Sequence, residues 1–180
     1  GEEVDRFPVW LKMTNRTWQQ SQPEPYKSMG AEELLQAAGC DLLLGCGLQV
    51  QSTNPHVESE TTQEDGLRRT VHTTPDGELV SEQTFDPYTE SWHPTRFPIN
   101  DPEELAASRW FCRDTEYSVA DQAVKEHRQA QKELEEKDAV TITGVGPSPL
   151  MHMVEHQCGP ITTHYLMQDA PELFREVIDL

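Results

Sequence analysis

Residues 139–150 read Ala-Val-Thr-Ile-Thr-Gly-Val-Gly-Pro-Ser-Pro-Leu. The β-branched run 139–143 predicts a short strand, Gly144, Gly146 and Pro147 break it in a tight turn, and a helix over 148–157 follows. No Lys or Ser/Thr completes a phosphate-cradling loop there. Upstream, residues 41–50 (DLLLGCGLQV) begin with an unbroken apolar run that suits a strand buried on both faces of a parallel sheet. Before it, 28–38 place Met29, Leu34, Leu35 and Ala38 at helical spacing, with Gly39 where a helix end wants positive φ. The short apolar run 8–13 (PVWLKM) is a further strand, so 8–50 reads as one βαβ unit. Adjacent parallel strands at 8–13, 41–47 and 139–143 are the expectation.

The middle of the chain breaks this alternation. Residues 51–66 are polar without periodicity and read as loop, while 67–85 form a hairpin turning at Thr74-Pro75-Asp76-Gly77. Trp92-His93-Pro94 and Phe97-Pro98 make an extended linker, in which His93, like His72 in the hairpin, reads as a surface or gap-filling residue. Asp101-Pro102-Glu103-Glu104 is a specific helix start, and that helix runs to about Phe111. A second helix starts from Ser118-Val119-Ala120-Asp121, carries Ala123, His127, Ala130 and Leu134 on one stripe, and gains an i,i+4 pair from Glu133 and Lys137. A last helix begins near Pro171.

Composition narrows the function. The chain has 180 residues, 14 Lys+Arg against 32 Asp+Glu, and a net charge of −18, which excludes a broad basic footprint for nucleic acid or anionic lipid. No apolar run approaches the ~18 residues of a spanning helix, and GEEVDR lacks the features of a signal peptide, so a soluble cytoplasmic protein is expected. Cys40, Cys46, Cys112 and Cys158 form no CxxC pair and are expected as reduced thiols. Gly1 at the start and a helical stretch running out at Leu180 read as a processed or shortened chain.

The order of motifs resembles the uroporphyrinogen decarboxylase superfamily, which includes tetrapyrrole decarboxylases and corrinoid-dependent thiol methyltransferases. Arg6-Phe7-Pro8-Val9-Trp10 looks like the family's opening strand, and Ala139–Leu150 is similar to its strand with a Gly-rich loop, with Pro149 and Gly159 in family positions. The TPDGELV hairpin, Trp92-His93-Pro94 and the capped helix look like the family's less characterised branch. The resemblance implies a partial (β/α)8 TIM-type barrel of parallel strands, residues 1–180 being its N-terminal half, with the 67–85 hairpin inserted. A missing barrel half or a second copy of the chain would cover the open edges.

It also implies a site. Lys12–Trp18 stands where tetrapyrrole decarboxylases carry two arginines, leaving Arg16 as the anion clamp; Gly45-Cys46-Gly47-Leu48 stands where they carry the catalytic Asp; Glu155 replaces a Tyr. Arg16, Glu155 and His152 are therefore the catalytic candidates, and Arg16, Trp18, Cys46 and Ser148 the ligand-binding ones, converging on one barrel mouth. His152-Met153-Val154-Glu155-His156 also matches the H-x-x-E-H zinc pattern, with Cys158 or His164 the nearest third donor, although no stoichiometric zinc is expected on this chain. A small-molecule or tetrapyrrole-type ligand is expected. The implied activity is methyl transfer involving a corrinoid, with corrinoid or zinc held only by the full-length protein. Tetrapyrrole decarboxylation is the alternative, and a non-catalytic half-barrel binding or assembly module the third.

Overall fold

The computed structural model describes residues 7, 9–11, 16–137 and 139–180. The helices are α1 (Arg16–Gln20), α2 (Ala31–Ala37), α3 (Pro102–Ser108), α4 (Asp121–Glu136), α5 (Pro149–His152), α6 (Gly159–Asp169) and α7 (Pro171–Asp179). The strands are β1 (Leu43–Gly45), β2 (Gln51–Thr53), β3 (Glu58–Glu64), β4 (Leu67–Thr74), β5 (Gly77–Asp86), β6 (Ser91–Arg96), β7 (Glu116–Ser118) and β8 (Val140–Ile142). Residues 1–50 and 119–144 make one compact unit, and 51–118 and 145–180 another.

In the first unit, Glu32 and Glu33 occupy the opening turn of α2, where carboxylates favour the helix dipole. The helix ends in a Schellman motif at Gly39 (φ 70°): Gly39 N–H donates to Gln36 O and Cys40 N–H to Leu35 O, each at 2.9 Å. This turn delivers Leu35, Cys40 and Leu42 into one buried cluster, with Leu44 and Ala139 packed against it. β1 and β8 run parallel, Leu43 opposite Val140 and Gly45 opposite Ile142, the pairing expected of 41–47 and 139–143. Residues 9–11 are not in a ladder. Val9 N–H instead donates to Asp41 Oδ2 at 2.6 Å, and Val9 O accepts from Asp41 N–H at 2.7 Å. Arg6, Pro8 and Lys12–Asn15, on which much of the opening-strand reading rests, lie outside the described residues. α4 begins at Asp121, later than expected, because Ala120 takes the cap position and Ser118 closes β7. Lys137 pairs with Glu32 at 2.8 Å instead of Glu133, which accepts from Gln129 Nε2 at 2.9 Å.

The second unit is built on hairpins. Asp65 and Gly66, at φ 49° and 75°, form the two-residue turn between β3 and β4, with Glu64 opposite Leu67. Pro75-Asp76 joins β4 to β5 as expected, and the Thr74 hydroxyl donates to Gly77 O at 2.8 Å. β6 completes an antiparallel sheet in the order β3-β4-β5-β6, so the Trp92–Pro94 stretch is an edge strand, a place that tolerates Pro94. All seven residues of β3 are exposed. The β2–β7 pair is also antiparallel. Asp101 caps α3 as its sequence demands, its Oδ1 accepting from Glu104 N–H at 2.8 Å. α3 packs on β5 and α7, and Ile99, Leu105, Met153, Cys158, Leu166 and Phe174 form the core. The expected 148–157 helix is α5 followed by a π turn at Met153–Gln157. α6 was not anticipated; Gly159 opens it at φ 72°, where an added Cβ would lie 2.7 Å from the Phe97 ring.

These pairings correct the fold expectation. The chain is mixed α/β with mainly antiparallel sheets, and not a partial (β/α)8 barrel of parallel strands with an inserted hairpin; β1–β8 is the one parallel pair among the described residues. The reason is local. Two-residue turns can join only antiparallel neighbours, and they commit 58–86 to a meander where a barrel needs crossover helices. Among the described residues, no helix is long and apolar enough to cross a membrane.

Candidate functional site

In the second unit, the sheet β3–β6 and the turn after α5 border a cleft of about 640 Å³. The Ser148 hydroxyl caps α5, accepting from Met151 N–H at 3.4 Å. The helix then widens into the π turn, a distortion frequent at functional sites, and Glu155, His156 and Gln157 line the cleft. Gln157 Nε2 lies 3.0 Å from His152 Nε2, while its Oε1 is buried with no hydrogen-bond partner among the described residues. A buried acceptor left unsatisfied costs ~1–3 kcal/mol, which a donor brought to it would relieve.

The sheet supplies the opposite wall. Ser59 and His72 face each other across β3 and β4, Oγ to Nδ1 at 2.7 Å, and Phe111 meets the His72 ring edge-on at 5.1 Å. Burial pushes the His72 pKa below its usual value, so the imidazole is neutral at neutral pH and can exchange a proton with a ligand. Arg96 is spoken for: Nη2 donates to Glu104 Oε1 at 2.7 Å and Nε to Val80 O at 3.0 Å. Arg96 is thus balanced by Glu104, and His156 Nε2 lies 3.7 Å from Glu155 Oε2.

The anticipated residues divide between the units. Arg16 opens the exposed α1; Trp18 lies in the same helix, where its carbonyl accepts from the Ser21 hydroxyl at 2.6 Å. Cys46 follows β1, buried, 3.6 Å from His127 Nδ1. Those three belong to the first unit, and Ser148, His152, Glu155, His156 and Cys158 to the second. Ser148 is engaged as a cap, whereas Glu155 and His156 reach the cleft.

The zinc pattern meets a test in the same turn. The His152 and His156 rings lie 5.2 Å apart, and burial, then the His156 charge, lowers the His152 pKa against the opposing effect of Glu155. Burial pushes the Cys158 thiol up to about 11, the Thr163 hydroxyl countering only in part, so Cys158 stays a protonated core residue. Among the described residues, no three His, Cys, Asp or Glu are grouped to hold a metal.

Ser59 escaped because 51–66 reads as loop, and His72, read in the 67–85 hairpin as a surface or gap-filling residue, was left without that partner. The signal was Asp65-Gly66, the preferred dipeptide of a two-residue hairpin. Counting outward from that turn brings Ser59 opposite His72. Comparison of the chain with protein-family models, curated proteins and solved structures returns no match.

Proposed function

We propose that the chain carries a ligand-recognition site of an enzyme of the kind its resemblance implies, transferring a methyl group with a corrinoid. The observation behind this reading is that Glu155 and Gln157 both line the cleft, the Gln157 Oε1 having no hydrogen-bond partner among the described residues. A corrin ring carries amide arms that donate hydrogen bonds to such acceptors. A uroporphyrinogen carries carboxylates that would meet Glu155 with like charge, which places decarboxylation second. A cleft of about 640 Å³ suits a drug-sized group, so a macrocycle would enter by one edge. The corrinoid, when bound, supplies the transferable methyl group. Gln157 and Glu155 would hold its arms, and neutral His72, with Nδ1–H donated to Ser59 Oγ, would take the proton of the methyl acceptor on Nε2. The reading keeps the chain in the cytoplasm, where its four free thiols stay reduced.

Titrating the chain with cobinamide and with uroporphyrin, read by visible absorbance, tests this. Saturable cobinamide binding, weakened about tenfold by Gln157→Leu, is expected. Tighter uroporphyrin binding would move the reading to decarboxylation. Saturable binding of neither would leave a non-catalytic binding module.

A further inference from the structure

The first unit holds a second candidate site, independent of the cleft. Cys46 lies just past the carboxyl end of β1, and its N–H donates to Ile142 O of the parallel neighbour at 2.9 Å. Ala139 N–H donates to Leu134 O in the last turn of α4, which packs on β8, so the first half of α4 lies toward the carboxyl ends of both strands. His127 sits in that half, Nδ1 at 3.6 Å from Cys46 Sγ. The carboxyl ends of parallel strands are where open α/β sheets place their ligands.

The local chemistry agrees with that placement. Cys46 is flanked by Gly45 and Gly47; a Cβ on the first would meet nothing within 4 Å, and on the second only the Thr143 hydroxyl at 3.8 Å. Cys46 itself is buried, at 7% exposed. With the ring proton on Nε2, His127 Nδ1 is placed to accept a hydrogen bond from the Cys46 thiol, a nucleophile beside a general base.

We propose that Cys46 and His127 form a thiol–disulfide exchange site for a small disulfide. Cys46 Sγ attacks one sulfur of the disulfide as its proton passes to His127 Nδ1; a new S–S bond forms and the old one breaks. The departing thiolate takes the proton from His127, leaving a mixed disulfide on Cys46 and one free thiol. The incoming disulfide is the oxidant, and no other is required. With a chain charge of −18, cationic disulfides are favoured over anionic ones.

The test uses the full chain with the exposed Cys112 replaced (Cys112→Ser), treated with cystamine at neutral pH, and the mixed disulfides mapped by mass spectrometry. Cys40 is the internal reference, because it too is 7% exposed and lies in the same unit. Cys46 should react at least about tenfold faster than Cys40, and His127→Gln should bring the two within about twofold while leaving Cys40 unchanged. Equal rates in the otherwise unaltered chain overturn the proposal, and so does a Cys46 rate indifferent to His127→Gln. A variant that also accelerates Cys40 has loosened the unit, and the ratio of Cys46 to Cys40 without the His127 change then decides.

Discussion

In the second unit, each strand of the four-stranded sheet pairs with its neighbour in sequence, and the sheet is backed by helices packed around Leu105 and Phe174. In the first, β1 and β8 are three-residue strands far apart in sequence, and Val140 and Ile142 are 53% and 52% exposed. Hairpins close short loops at little entropic cost, whereas a parallel pair must be brought together over a long stretch and is ordinarily covered on both faces. The second unit is therefore held by local pairing and its own core, while the first relies on α2 and the Leu35–Cys40–Leu42 cluster.

The contrast can be broken at its strongest point. Leu105 is fully buried, and Leu105→Ala should cost about 2–5 kcal/mol in denaturant unfolding, against less than about 0.5 kcal/mol for Val140→Ala on the exposed face of β8. Comparable losses would mean that the first unit is as tightly packed as the second. Gly159→Ala should cost about 1–3 kcal/mol, because its positive φ and the Phe97 ring leave no room for a methyl group. A crystal structure of that variant should show the Phe97 ring displaced. Asp101→Ala, which removes one cap from the second unit, should lower stability by about 1 kcal/mol.

The smallest effect concerns pH. Burial holds His72 and His152 below their usual value of 6.5, so below that pH the unfolded chain binds more protons than the folded one. Their contribution is complete above pH 6.5 and is lost as pH falls through the folded-state values. Denaturation midpoints between pH 7.5 and 5 should decline, and His72→Gln should flatten the slope. An unchanged slope would place the acid sensitivity elsewhere.

What could be read in advance was what neighbouring residues decide among themselves. Asp101-Pro102, Thr74–Gly77 and Gly39 each satisfy a cap or turn within a few residues, and each behaves as its sequence demands. β3 escaped because ESETTQE alternates nothing: with both faces in water, period two leaves no mark on hydropathy. The barrel expectation failed for a related reason. Apolar runs at 41–47 and 139–143 identify parallel partners, but nothing in them limits how many strands join. At the cleft, the α5 segment was singled out through Glu155 and His156, while Ser59 and His72 needed the register of a strand that polarity concealed.

The exposed β3 has a colloidal consequence. It is one free edge of the four-stranded sheet, and Glu58, Glu60 and Glu64 lie along it. At the other edge, Pro94 on β6 has no N–H to offer an incoming strand. The two edges thus deter templating by different means, one by repulsion and one by a missing donor. Salt separates them: at 1 M the screening length shrinks to about 3 Å, the repulsion at β3 fades, and Pro94 is unaffected. Copies of this protein that associate in concentrated salt should meet β3 to β3.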